Sequence, residues 1–207
     1  MAMIRILGAG GHAKVALEAL HSAGGDAITF HDDDETRRGE ILLGVQVAGP
    51  LLEAMDTDDL LHIAIGDNEA RRRLAEEMED IRFPPIFHAA SVISPSAAIS
   101  GGVLVCAGAI VQADARIGRH AIVNSRALVE HDVHVGNFAH IAPGVLLGGG
   151  VRIGDGVLVG IGATVMPNIS IGAGTVIGAG SLVTRDVEPG SVMAGVPARS
   201  FSRGERL

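Results

Sequence analysis

Residues 123–147 read VNSRALVEHDVHVGNFAHIAPGVLL, and within them Val123, Val129, Val135, Ile141 and Leu147 fall six residues apart. The series runs on in both directions without a slip. Every sixth residue from Ile93 to Val183 is Ile, Leu or Val, sixteen in all. Four positions after each one stands a small or β-branched residue, from Ala97, Val103 and Ala109 to Ser181 and Val187. A period of six matches neither the 3.6 of a helix nor the plain alternation of a flat strand. It fits a chain that coils, with short strands joined by tight turns and one aliphatic per rung pointing inward. Three rungs, about eighteen residues, make one turn of a three-sided prism, so residues 92–187 give about five turns. With strands about 4.8 Å apart the prism stands about 25 Å tall.

The composition agrees. Of 207 residues 29 are Gly, about twice the usual share, as a turn every six residues requires. Aromatics are 2%, with no Trp and no Tyr. Stacked aliphatics fill a narrow interior without rings, and the scarcity also argues against base-stacking platforms for single-stranded nucleic acid. The net charge of −8 argues against binding nucleic acid through the surface at large. Cys106 is the only cysteine, which excludes a disulfide framework and a cysteine-rich metal site. The N-terminus does not read as a signal peptide, and there is no apolar run long enough for a membrane-spanning helix. The expectation is a soluble cytoplasmic protein with no membrane partner.

The first part of the chain follows other rules. Met3–Leu7 reads as a strand, Gly8-Ala9-Gly10-Gly11-His12-Ala13-Lys14 as a glycine loop, and Val15–Ala23 as a helix. Ala27–His31 is a second strand ending in Asp32-Asp33-Asp34-Glu35, and Leu60–Ile65 a third, closed by Gly66-Asp67-Asn68. A charged helix over Glu69–Met78 follows, with Asn68 as its cap, and then a last strand over Ile81–Phe87 interrupted by Pro84-Pro85. Strand, loop, helix and strand in alternation define a small parallel α/β domain. The domains expected are residues 1–87 and the coil with its tail over 88–207. The tail, with Pro189-Gly190 and Gly195-Val196-Pro197-Ala198, should leave the coil and fold back or end in a loop.

The glycine loop matches G-x-G-x-x-A between a strand and a helix, where backbone N–H groups at a helix N-terminus favour a pyrophosphate. Asp32 and Asp33, about twenty residues on, can accept donors from a ribose or base. A dinucleotide such as NAD and a nucleotide-sugar both satisfy this pattern. The domain is too short for a full six-stranded dinucleotide fold, so the nucleotide-sugar leads.

Four histidines, His120, His131, His134 and His140, fall on or near one coil. His131 occupies a turn, while His134 and His140 each precede an inward aliphatic and so point outward. Glu130-His131-Asp132 brackets an imidazole with carboxylates, an arrangement that orients the ring and suits a general base near neutral pH. Zinc held by these histidines is the competing reading, but their spacings do not converge and no H-x-x-x-H or C-x-x-C accompanies them. No metal is expected.

Together the Gly-Ala-Gly-Gly-His-Ala-Lys loop, the Ala-Ile-Gly-Asp-Asn segment (64–68), the repeats and Val-Glu-His-Asp resemble the NeuD/PglD-like sugar acetyltransferases of bacterial glycan pathways. These are hexapeptide-repeat acyltransferases with a left-handed parallel β-helix. The resemblance covers nearly the whole chain. It implies a small Rossmann-like domain that binds a nucleotide-activated amino sugar, through Gly8, Gly10, Gly11, His12, Asp32, Asp33, Gly66 and Asn68, with Asn124 near the sugar. It implies acetyl-CoA as co-substrate, lying along the prism between subunits of a homotrimer, near His140, Ile161, Gly178 and Ala179. His131 would be the general base, Asp132 the carboxylate that orients it, and Gly149 the source of an oxyanion-stabilising N–H. Many relatives have Glu where Asp132 stands.

The reaction so implied is acetyl transfer to an amine, at C4 of the sugar, by direct attack with no covalent enzyme intermediate. O-acetylation of a sialic-acid-type hydroxyl could use the same base. Readings of other classes are an NAD-binding scaffold with a purely structural prism and a zinc hydrolase.

Overall fold

A computed structural model of the chain describes residues 3–54, 59–78 and 81–201. The N-terminal sheet contains β1 (Met3–Leu7), β2 (Asp26–His31), β3 (Ile41–Leu42), β4 (Val45–Gly49) and β5 (Leu60–Ile63). Their order is β3-β4-β2-β1-β5, parallel except where the short β3 turns back on β4. Helix α1 spans Gly11–Ser22, beginning four residues before the expected start, directly out of the glycine loop. It buries Ala13, Ala16, Leu17, Ala19 and Leu20. The cluster these form holds Ile4, Ile6 and Phe30 from the sheet and also Ile86, Leu104 and Cys106 from the coil. Burial pushes the Cys106 thiol up to about 12, so it is an apolar filler and not a nucleophile.

Helix α2 spans Asn68–Glu76. Its cap is Asp67, whose side chain accepts from the Ala70 N–H, and not Asn68 as expected. Asn68 instead donates from Nδ2 to the Gly156 and Val157 carbonyls of the coil, at 3.1 and 3.2 Å. The strand expected over Ile81–Phe87 is confined to Ile86–Phe87. Pro84 and Pro85 carry no N–H for a ladder, and the two residues that do extend pair with Leu104–Val105, as a rung of the coil.

From there the chain winds as the period of six requires. Two-residue strands pair in parallel with partners eighteen positions on, as Val111 with Val129 and Val129 with Leu147. They form three sheets. The first stacks the rungs of Ile93, Val111, Val129, Leu147, Val165 and Val183. The second stacks Ile99, Ile117, Val135, Ile153 and Ile171. The third stacks Phe87, Val105, Val123, Ile141, Val159 and Ile177. These side chains and the small residues four positions on make one continuous aliphatic core. The third sheet continues further than the tail's glycines and prolines suggest. Val192–Ala194 adds one more parallel strand before Arg199–Ser200 folds back against it.

The residue before each inward aliphatic faces outward, and the three faces differ. The second carries Arg116, His134 and Arg152. The third is covered at one end by the α/β domain, where Leu104 and Ile122 are buried. The first presents Val92, Ile110, Leu128, Leu146, Thr164 and Leu182, with Val92 62% and Leu146 44% exposed.

Candidate active site

The glycine loop shapes one side of the site. Gly8 has φ +97° and lies where a Cβ would press on the Ala64 carbonyl and Ile65, so only glycine brings β1 this close to the end of β5. At Gly10 and Gly11 an added Cβ would meet nothing within 4 Å. The loop lines a cavity of about 380 Å³ with Asp32, Asp33, Leu51 and Gly66 around it, so the residues expected to bind a nucleotide do converge. Asp32 accepts the Ala9 N–H (2.7 Å) on one oxygen and the Asp34 N–H on the other, and Asp33 accepts from Leu51. Each carboxylate thus shapes the cavity rim while keeping lone pairs for a ligand. No acidic residue occupies the first turn of α1, which leaves its positive end free for an anion.

Gly66 also lines a larger cleft of about 820 Å³, between the Gly66-Asp67-Asn68 turn and the third face of the prism. His140, Pro143, Ile161 and Ala179 form its other wall. Three of the four residues expected to contact acetyl-CoA are therefore in this cleft. Gly178 sits behind it, against Ala194 of the tail. Gly66 and Asn68, expected on the sugar side, line this cleft too, and Asn68 is tied to the prism as described.

The ring of His12 stands over that of His140, with centroids 6.1 Å apart. Asn124 completes the group. Its Oδ1 accepts the Ser125 N–H, so its Nδ2 faces His140 Nε2 at 3.0 Å. A neutral ring that accepts this amide on Nε2 carries its proton on Nδ1, and the Gly66 backbone is its other hydrogen-bond partner. Burial first, and the Arg71 guanidinium second, push His140 down to about 4. Burial, His140 and Arg71 push His12 down to about 4 as well, so both rings are neutral at neutral pH.

His131 lies elsewhere. It occupies the turn between the first and second faces, exposed to solvent, with Nδ1 2.8 Å from Asp132 Oδ2 and its backbone N–H on Glu130. The Asp132 hydrogen bond, with the charges of Asp132 and Glu130, holds the imidazole above its ordinary value. Gly149, one coil on, lies under the ring: a Cβ there would be 2.7 Å from His131 Nε2 and Cε1. Among the described residues no acceptor faces the Gly149 N–H. His131, Asp132 and Gly149 therefore form one group. Within one chain it is separated from the cleft by the whole first face. His140 stands on the third face and the cleft runs from there to the turn that leads to the first, whereas His131 lies at the turn from the first to the second.

Sequence reasoning did not foresee the burial of Arg71, His62 and His120. Arg71 is 1% exposed, and His62 and His120 are buried beside it. Burial drives His62 to about 3 and His120 to about 4. His120 lies between Phe83 and Phe138, stacked parallel on the latter. Among the described residues no group of three or more His, Cys, Asp or Glu is placed to hold a metal ion, and no helix is long and apolar enough to cross a membrane.

A coiled prism of six-residue repeats with a cleft along one face is the fold that this chain shares with hexapeptide-repeat acyltransferases. The sequence comparisons narrow this further. Residues 3–78 match the PglD N-terminal domain and residues 150–185 the bacterial transferase hexapeptide (six repeats). The perosamine N-acetyltransferase from Caulobacter crescentus, solved with CoA and GDP-perosamine, is 36% identical over 98% of both chains, with a TM-score of 0.92. The acetyltransferase domain of PglB from Neisseria gonorrhoeae, solved with acetyl coenzyme A, is 33% identical over 96% of this chain and 98% of that one (TM-score 0.91). The UDP-N-acetylbacillosamine N-acetyltransferase from Bacillus subtilis is 39% identical over 115 residues, which span about half of its length (52%). This chain belongs to the NeuD/PglD-like family of sugar acetyltransferases.

Proposed function

We propose that this chain moves the acetyl group of acetyl-CoA to the C4 amine of a nucleotide-activated amino sugar. One observation carries the reading: a nucleotide-sized cavity at the glycine loop and a long cleft on the prism meet at Gly66, with His12, Asn124 and His140 at the junction. Two ligands entering from opposite sides would meet there. The relatives solved with CoA, acetyl-CoA and GDP-perosamine support the same pair of substrates.

In this reading the amine nitrogen attacks the thioester carbonyl as His131 takes its proton. The C–N bond forms, the C–S bond breaks, and the proton passes to the departing CoA sulfur. Asp132 fixes the tautomer that leaves Nε2 as the base, and the Gly149 N–H stabilises the oxyanion. Because His131 and the cleft flank the first face of one chain, the complete site needs a second copy. The aliphatic outward ladder of that face, from Val92 to Leu182, supports packing against neighbours in a homotrimer. His131 of one protomer would then serve the cleft of the next. The use of a nucleotide-sugar and acetyl-CoA supports a cytoplasmic location.

The test is thiol release from acetyl-CoA against UDP-, GDP- and dTDP-linked 4-amino sugars and their 4-hydroxy counterparts. Release with amino sugars alone is expected. Release only with hydroxyl acceptors, or with none, contradicts the proposal.

A further inference from the structure

One buried side chain ties the Gly66 turn of this junction to the prism. Arg71, on the buried face of α2, donates from Nε to the His120 carbonyl (2.8 Å) and from Nη2 to the Phe138 carbonyl (2.8 Å). Those carbonyls belong to successive coils at one edge of the prism. Both residues hold left-handed backbone (φ +53° and +57°). From Nη1 the same guanidinium donates to the Ile65 carbonyl (2.8 Å) and the Gly66 carbonyl (3.2 Å), and from Nη2 to Asn68 Oδ1 (2.8 Å). Carbonyls of three separate segments thus converge on one planar group, a geometry a guanidinium can satisfy and an ammonium cannot. Gly66 lines both cavities, and its backbone is a hydrogen-bond partner of the His140 ring.

We infer that Arg71 is a positioning residue for acetyl transfer. It locks the Gly66 turn against the prism and, through the Gly66 backbone, sets the tautomer and orientation of His140. This rests on the transferase reading and adds to it. The residue touches neither cavity's contents; it sets the distance between them. The CoA arm would lie on Pro143, Ile161 and Ala179, none of which contacts Arg71, so donor binding is separable from the alignment of the two substrates. A misplacement of about 1 Å at such a junction costs about a hundredfold in rate.

The experiment compares the full-length wild-type chain with Arg71→Lys. Its readouts are kcat, KM for the amino-sugar acceptor, CoA affinity by calorimetry, and the folded fraction by circular dichroism. The variant keeps the charge and loses the fork. The expected result is a kcat about ten- to a hundredfold lower per folded molecule, with CoA affinity within about twofold. A purely structural Arg71 would lower thermal stability and leave kcat per folded molecule unchanged. A folded variant with kcat within about twofold of wild type therefore overturns the inference. A second measurement needs no variant of Arg71: long-range ¹⁵N NMR of the wild-type protein, with His140→Gln to assign the ring. It should show His140 as the Nδ1–H tautomer, and an Nε2–H ring breaks the chain of contacts and overturns the inference even where Arg71→Lys fails to fold. Wild-type protein that releases no thiol with any acceptor counts against the transferase reading itself.

Discussion

The imidazole of His131 covers Gly149, so closely that a methyl group on residue 149 would stand 2.7 Å from Nε2. Gly149 has neither a left-handed backbone nor a buried position to protect, and the ring above it is open to solvent. Gly149→Ala should therefore displace the ring with little strain elsewhere. The expected outcome is turnover lowered at least about tenfold with Tm within a few degrees of wild type. Steady-state kinetics and a thermal melt on one preparation check both.

Asp132 has φ +61°, a conformation that asparagine accepts. Asp132→Asn should leave the turn intact and remove the carboxylate that raises His131. The base works when deprotonated. Lowering its pKa moves the acidic limb of the kcat/KM profile to lower pH, and the weaker base with an unfixed tautomer lowers the plateau by at least about tenfold. A limb that stays in place, or moves upward, removes Asp132 from this role.

If His131 serves a neighbour's cleft, two inactive variants should complement. His131→Ala lacks the base, and Ile161→Glu places a charge in the cleft. Unfolded separately and refolded as a mixture, they should regain about a quarter of wild-type activity, because random assembly joins an intact base to an intact cleft at about one site in four. Failure of the mixture to exceed either variant alone places the whole site in one chain. Leu146→Glu, on the outward face, should reduce the oligomer in sedimentation and abolish activity while the monomer keeps its β-signal.

The buried and half-buried imidazoles set an acid limit. His12, His120 and His140 titrate at about 4 and His62 at about 3, against an ordinary 6.5. Between those values the unfolded chain binds more protons than the folded one, so this stability is complete above about 6.5 and is lost as pH falls toward 4. Tm should fall by at least about 5 °C from pH 7 to pH 4.5. His62→Leu should flatten that slope; an unchanged slope contradicts the assignment.

The prism was legible because each rung repeats one requirement, an inward aliphatic, and the period alone sets the pairing of residue 111 with 129 and 129 with 147. The glycine loop, Asp32 and the His131–Asp132 pair were legible for a similar reason: their chemistry is local in sequence. What escaped was set by contacts across the chain. Arg71 sits in a helix that the sequence marks only as charged, yet it meets His120 and Phe138, 49 and 67 residues away. Asn68 has the residue type of a helix cap and the position of one, but Asp67 takes that place while Asn68 reaches the coil. His140 does point outward from the prism, as its register demands. Only the docking of the α/β domain turns that outward position into a half-buried one.

The most direct measurement is turnover of His131→Ala with acetyl-CoA and the preferred amino-sugar acceptor, alongside calorimetric CoA affinity. The account predicts turnover at least about a hundredfold lower with CoA affinity within about twofold. A variant that keeps a third of wild-type turnover would contradict it.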